Sequence, residues 1–591
     1  MSHKIYKSIL PPVEIPDVSV YSYLFPKVDK YPASSPAFID PDTGVTLTRG
    51  ELRAKTRELA YGLRNTLHTK FGGPKLVRSD VVLVFSPNTV AYPILLFGAY
   101  AAGLKATLAN AAYTPPELAH QYQDSGASLV ITYPALLPVV LKMFESLKID
   151  AKQARQRIVI AGWGLKDKGP KGFIQMEDLL GTGRLENEER FDGPLANETT
   201  LLCYSSGTTG KPKGVETTHK NLISCMRMVS DIFPLVHGKD RTIGVLPFFH
   251  IYGVLNLLHS CVDKAIPVVV MSRFEPVAFC KLIEKFKITF IFLVPPILVV
   301  LSRHPAVDQH NLSSLRRLVS GAAPLGAALT QAVQERLKSR GAQVAIVQGY
   351  GLTETSPNSH LLPEADADRK IGSIGLLLPN LEARVVTDDG EDAKEGEPGE
   401  LWLRGPTIMK GYLNNSDATR DSITPDGWFK TGDVAVIDKE GYYYIVDRKK
   451  ELIKYKASRF GNTYFTCILN EQYTVPPAEL EAVLLQHPDI ADVGVVGVTS
   501  HVEATEFPRA YVVHAQGLPK DEKDRHRFAT AVQKWIETHV ARHKFLRGGV
   551  VVVDAIPKSA SGKILRRELR ERAKQEYEAF EAASGPAKAK L

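Results

Sequence analysis

The densest run of small and hydroxyl residues in the chain is Ser205-Ser206-Gly207-Thr208-Thr209-Gly210-Lys211-Pro212-Lys213-Gly214, directly after the apolar Leu201-Leu202-Cys203-Tyr204. Glycines let backbone N–H groups turn inward, hydroxyls add donors and lysines add charge, a combination suited to a polyphosphate. The run is not a GxxxxGK[ST] loop. That motif needs glycine where Ser205 stands and Ser or Thr where the chain has Pro212. A bare Gly/Lys run also reads as a mobile surface turn, but so many such residues in succession favour the phosphate site.

Further strings follow in order: LPFFHIYG (246–253), SGAAPLG (320–326), QGYGLTET (348–355), GWFKTGD (427–433), DRKKELIKYK (447–456), PAELEAVL (477–484) and PKSASGKILRREL (557–569). With YSSGTTGKPKGV they resemble the adenylate-forming superfamily of acyl-CoA synthetases, 4-coumarate:CoA ligases, firefly luciferases and adenylation domains. The resemblance covers nearly the whole chain. The LPFFHIYG and PAELE variants are most similar to 4-coumarate:CoA ligases and their fungal relatives.

The resemblance implies ATP, Mg²⁺ and coenzyme A as reactants and a two-step reaction through an acyl-AMP. It places nucleotide contacts at Ser205, Ser206, Gly207, Thr208, Thr209, Gly210, Lys211, Lys213, Ala322, Gln348, Gly349, Tyr350, Thr353, Asp433, Arg448 and Lys563. Each assignment makes chemical sense. Glu354 is a carboxylate able to hold Mg²⁺ against the triphosphate, and the Thr353 hydroxyl can bond the α-phosphate. Asp433 suits two ribose hydroxyls, with Arg448 in reach of the same sugar. Lys563, behind Ser559-Ala560-Ser561-Gly562, can enter a cleft and neutralise charge developing on phosphate and carboxylate. Alone, a Thr-Glu-Thr is more often a solvated turn, and an Asp/Arg pair a surface ion pair.

The acid is expected among His250, Tyr252, Asn256, Val319, Ala322, Gly349, Gly351, Pro357 and Asn358. Small residues at 322, 349 and 351 leave room for a flat ring or an acyl chain. Asn256 and Asn358 favour an aryl or hydroxylated acid, because an unpaired buried amide costs about 1–3 kcal/mol. By the same resemblance Lys450 is a hinge, and Lys454, Lys456 and Ala457 face coenzyme A. There the chain departs from the pattern: residues 459–473, RFGNTYFTCILNEQY, interrupt what relatives carry as a continuous KYKGxQVxPAELE. Either a loop alters the thiol acceptor, or intronic sequence has been translated, which the patternless composition fits.

These residues need elements to hold them. Apolar β-branched runs such as 81–85 and 129–131 alternate with helical patterns at 91–102 and 136–147, the order of βαβ units. The rhythm returns at 242–246, 266–271, 274–286, 288–293 and 315–320. From about Gly372 short strands separated by Asp-Gly and Pro-Gly turns suggest a β-rich subdomain. The expected fold is α/β: a large N-terminal domain (1–447) of two doubly wound βαβ layers plus that β-rich subdomain. A small mobile α+β C-terminal domain (448–575) and a flexible tail (576–591) follow.

The chain has 591 residues, 44% of them hydrophobic and 23% charged, ample for several packed cores. Its net charge of +8 is scattered, so no nucleic-acid partner is expected. Five cysteines without a CxxC pair suggest neither a disulfide framework nor a zinc site. The longest apolar stretch, 288–301, is broken by Pro295-Pro296 and is too short to span a bilayer. The final Ala589-Lys590-Leu591 resembles the Ser-Lys-Leu address read by the peroxisomal import receptor, so a peroxisome is the expected location, otherwise the cytoplasm. The expected activity is an acid–thiol ligase acting on an aromatic (cinnamate-like) or medium-chain acid. Alternatives are an adenylating enzyme serving a carrier protein in trans, a luciferase-like oxidoreductase, and an impaired relative that only binds nucleotide.

Overall fold

The computed structural model describes residues 3–205, 212–449, 451–456, 472–500, 505–559 and 562–584. The apolar strands Val81–Phe85, Leu129–Thr132 and Ile158–Ile160 are buried throughout, which requires cover on both faces of their sheet. Helix Tyr92–Ala101, buried along its whole length, supplies part of it. The sheet has eight strands. Six run parallel, in the order Thr199–Ser205, Lys105–Ala109, Val81–Phe85, Leu129–Thr132, Ile158–Ile160 and Ile174–Gln175; Lys213–Thr218 and Gly411–Tyr412 are added antiparallel at one edge.

A ten-stranded sheet forms the second large layer. Phe290–Leu293, Arg317–Ser320 and Ala345–Gly351 are parallel, and Asn358–Leu361 then pairs antiparallel with Ala345–Gly351. Through that strand the β-rich run is continuous with the second βαβ set, rather than a body beside it. The reason is the turn at 352–357, which reverses the chain so that Asn358 lies opposite Gly351 in the ladder. Two further expected strands join neither large sheet: Thr242–Gly244 and Val268–Val270 pair with each other and with Pro36–Ile39 in a sheet of four.

The C-terminal part has its own core of Leu480, Leu484, Val493, Val495, Val512, Val532 and Ile536. It packs Pro477–Leu484 and Glu522–Glu537 on the sheet of Ile490–Ser500, Thr505–His514 and Val550–Val552. The expected tail from 576 is corrected: helix Arg566–Ser584 runs through that position, because Tyr577 is buried and Glu576 pairs with Arg509 and Arg572. Residues 585–591, with the Ala-Lys-Leu signal, lie outside the described residues. No helix among the described residues is long and apolar enough to cross a membrane.

Candidate functional site

The phosphate-loop candidate is held by a hairpin. Strands Thr199–Ser205 and Lys213–Thr218 pair antiparallel with Lys213 opposite Ser205. The second strand feeds helix His219–Ser230 through a reciprocal cap, Thr218 Oγ1 accepting from Asn221 N–H at 3.0 Å and Asn221 Oδ1 from Thr218 N–H at 2.9 Å. Ser206, Gly207, Thr208, Thr209, Gly210 and Lys211 lie outside the described residues. Lys213 sits over the Tyr412 ring, 4.4 Å from its centroid.

Tyr412 is a residue sequence reasoning missed. Its hydroxyl donates to Glu354 Oε1 at 2.9 Å, and burial with that carboxylate pushes its pKa well above the usual phenol range. Glu354 is further fixed by its own carbonyl, which accepts from Met409 N–H at 2.9 Å. Among the described residues no group of three or more His, Cys, Asp or Glu is placed to hold a metal. A divalent ion here would take the single Glu354 carboxylate and oxygens of the nucleotide, an arrangement Mg²⁺ accepts.

The ribose candidates also meet. Asp433 and Arg448 are cross-strand partners, with Arg448 Nε 3.3 Å from Asp433 Oδ1, and the Tyr350 hydroxyl donates to Oδ2 at 2.6 Å. Burial pushes the Asp433 carboxyl up, against the pull of Arg448. Gln348 lies buried on the same strand as Tyr350, and its carbonyl accepts from Leu362 N–H at 2.9 Å.

Seven of the nine acid candidates line one cavity: His250, Tyr252, Ala322, Gly349, Gly351, Pro357 and Asn358, joined by Thr353 and Lys563. Ile251, Gly321 and Leu352 complete it; all three stand inside the quoted motifs, so the strings located them without assigning them. Gly351 is obligatory, because a Cβ there would lie 1.8 Å from the Pro357 carbonyl oxygen. Ala322 holds a left-handed φ of +69°, a conformation that costs an alanine energy and tends to mark functional backbone.

Two acid candidates are placed differently. Val319 is buried in the core and contributes only its carbonyl, which accepts from the Tyr252 hydroxyl at 3.0 Å. Asn256 lines a second cavity, with Met226, Phe233 and Phe292. It stays linked to the first, since Asn358 Nδ2 donates to Asn256 Oδ1 at 3.4 Å while Asn256 Nδ2 donates to the Tyr252 carbonyl at 3.0 Å. The family resemblance implied a place in the acid cavity; Asn256 stands in a helix widened over Val254–Ser260 and lines the cavity behind that wall.

His250 caps the short helix Ile251–Gly253, its Nδ1 accepting from Tyr252 N–H at 3.2 Å. That bond leaves the proton on Nε2, and enclosure with the nearby Lys563 charge lowers the ring pKa to about 3, so the ring is a neutral donor. Lys563 arrives from the C-terminal part on a tight loop, where Ser559 N–H donates to the Lys563 carbonyl at 2.8 Å and Lys563 N–H to Ser559 Oγ at 3.1 Å. Enclosure lowers its pKa to about 8, helped by Arg448 and opposed by Asp433, Glu354 and Glu451.

The coenzyme A candidates Lys454 and Lys456 lie on strand Ile453–Lys456, while Ala457 and the hinge candidate Lys450 lie outside the described residues. Of the expected insertion at 459–473 only its last two residues are described. Gln472 and Tyr473 belong to strand Gln472–Val475, which pairs antiparallel with Ile453–Lys456, Lys456 opposite Gln472. The rest of it, 459–471, lies outside the described residues.

This arrangement could take a nucleotide beside a carboxylate. Residues 24–413 match the AMP-binding enzyme family, and residues 479–563 the AMP-binding enzyme C-terminal domain. The chain belongs to the AMP-binding enzyme family. It is 38% identical to probable 4-coumarate–CoA ligase 1 of Dictyostelium discoideum over 87% of this chain and 88% of the relative, and 34% identical to 4-coumarate:CoA ligase 1 of Petunia hybrida over 96% of both. The o-succinylbenzoate CoA synthetase MenE of Bacillus subtilis, solved with its acyl-adenylate, is similar at TM-score 0.73 and 26% identity, covering 94% of this chain and 98% of the other.

Proposed function

We propose that the chain is an AMP-forming acid–CoA ligase whose acid is aromatic and bears a hydrogen-bonding group at its far end, with a medium-chain acid as the second choice. The observation that carries this reading is the convergence of Lys563, from the C-terminal part, with His250 and Thr353 of the N-terminal part on one cavity. In the first step an acid carboxylate oxygen bonds to the ATP α-phosphorus as the α–β phosphoanhydride breaks, releasing pyrophosphate. A carboxylate is already the nucleophile, so no general base is required. His250 Nε2–H and the Lys563 ammonium hold the carboxylate and α-phosphate, and preorganised charge of this kind is the main catalytic contribution. Mg²⁺ on Glu354 offsets phosphate charge when bound.

In the second step the coenzyme A sulfur bonds to the acyl carbon, AMP leaves, and the thiol proton passes to solvent. Lys563 is dispensable there, since the α-phosphate is now part of the leaving group and no pyrophosphate is expelled. Ala322, Gly349 and Gly351 leave width for a ring, and Asn358, which lines the cavity and is held from behind by Asn256, offers its amide to a distal hydroxyl. The printed names of the Dictyostelium, Petunia and Bacillus relatives, all ligases of aromatic acids, support that choice. The test is acid-dependent ATP–pyrophosphate exchange without coenzyme A, across cinnamic, hydroxycinnamic, benzoic and medium-chain fatty acids. Hydroxycinnamates are expected to exchange fastest; fatty acids outpacing every aryl acid would overturn the substrate reading.

A further inference from the structure

Lys563 and the pocket walls belong to parts of the chain joined at residues 449–451, so something must hold them in register. Across that junction runs an unbroken series of alternating charges. Asp433 Oδ1 is 3.3 Å from Arg448 Nε, Arg448 Nη1 is 3.6 Å from Glu451 Oε1, Glu451 Oε2 is 3.4 Å from Arg566 Nε, and Arg566 Nη2 is 2.6 Å from Glu481 Oε2. Glu481 Oε1 in turn accepts from Val495 N–H at 2.7 Å, anchoring the series in the C-terminal sheet. The carboxylates of Asp433, Glu451 and Glu481 are only 6%, 10% and 11% exposed and Arg566 is 11% exposed, while Arg448 is 37% exposed, so the enclosed stretch of the series is the one from Glu451 to Glu481. Charges so enclosed are costly to separate, unlike surface pairs.

The geometry at the junction makes Glu451 the connecting member. Glu451 N–H donates to the Arg448 carbonyl at 2.8 Å, and Leu452 N–H to the same oxygen at 3.1 Å, so the chain turns back and sets the two side chains together. Arg566 opens helix Arg566–Ser584, three residues beyond Lys563. Whatever fixes Arg566 therefore fixes the lysine. A separate contact steadies the same docking: Arg303 donates to the carbonyls of Ile490 and Leu485 at 3.0 and 3.1 Å, near the end of helix Pro477–Leu484 that carries Glu481.

We infer that Glu451 is a positioning residue for the first half-reaction: by bridging Arg448 and Arg566 it holds Lys563 over the acid and phosphate site. The inference rests on the ligase reading above. The charged and titratable groups acting on Lys563 are Arg448, Asp433, Glu354 and Glu451, with His250 neutral beside it; Glu451 is one of three carboxylates that raise the lysine's pKa. Removing its charge therefore moves the lysine and lowers the pH at which it loses its proton.

The experiment compares the full-length parent with Glu451→Gln and Glu451→Asp in three assays: pyrophosphate exchange with the best acid, its pH profile, and thioester formation from synthetic acyl-adenylate. The expected result for E451Q is about a tenfold fall in exchange, an alkaline limb displaced to lower pH, and thioester formation within about twofold of the parent. E451D, which keeps the charge, is expected to retain the parent's alkaline limb. An E451Q enzyme with parental exchange and limb, or one losing both half-reactions equally, would overturn the proposal. A parent without acid-dependent exchange would overturn the ligase reading and this inference with it.

Discussion

The walls of the acid pocket and the lysine that closes it are held by different means. Gly349, Gly351, Thr353 and Asn358 sit on or beside adjacent strands of a ten-stranded sheet, with Leu361, Leu376 and Leu377 buried about them. Lys563 rides on a separate core and reaches the pocket through the enclosed charge series and Arg303. A wall built on a sheet moves only if the sheet is disrupted, since close-packed interiors transmit strain. A side chain delivered by polar contacts can be displaced without unfolding anything. Damage to the first region should thus cost stability and both chemical steps, and damage to the second mainly the first step.

The largest expected effect tests the second half of that contrast. Lys563→Ala should lower pyrophosphate exchange by about 10²–10³-fold while leaving thermal unfolding and thioester formation from synthetic acyl-adenylate near parental values. Equal loss in both half-reactions would break the comparison. Gly351→Ala tests the first half. Its Cβ must displace the Pro357 carbonyl, so exchange should fall by about 10²-fold and stability by about 1–3 kcal/mol, seen as a lower unfolding midpoint in urea.

The pH profile sharpens the contrast further. Lys563 is charged below about pH 8 in the free enzyme, so kcat/KM for exchange should fall about tenfold per unit above that value. Thioester formation from the acyl-adenylate should not share this limb. A further effect is on acid stability. Burial lowers the ring pKa to about 3 for His219 and His360 and about 4 for His259, all in the N-terminal part. The unfolded chain takes up protons near pH 6.5 that these folded rings refuse. Stability is therefore lost as pH falls from about 6.5 toward 4, and this loss should appear first in probes of the N-terminal part. Denaturant midpoints measured at pH 7.5 and 5 would check it.

Much of this site was legible in the linear chain because its parts are local. The sequence Gln-Gly-Tyr-Gly-Leu-Thr-Glu-Thr contains a strand, the glycines that allow a close backbone approach, and the Thr353 and Glu354 side chains, all within eight residues. Asp433 and Arg448 flank a hairpin, and Lys563 follows a glycine with a φ of +79°. Short-range spacing keeps each motif contiguous and so recognisable, but the roles follow from the family resemblance: by residue type alone Thr353-Glu354-Thr355 reads as a solvated turn and Asp433 with Arg448 as a surface ion pair. The alternation of apolar runs with helical patterns likewise set the α/β class, since strands buried on both faces must be covered by helices.

Tertiary structure decided the pairings between distant positions. Tyr412 meets Glu354 across 58 residues, Asn256 meets Asn358 across 102, and Arg566 meets Glu481 across 85. It also joined the β-rich run to the parallel strands, carried helix Arg566–Ser584 through the expected tail, and set Asn256 behind the pocket wall. None of these follows from local propensity. Each depends on which strand lies beside which and in what register, and that is settled only when the separate apolar faces are buried together.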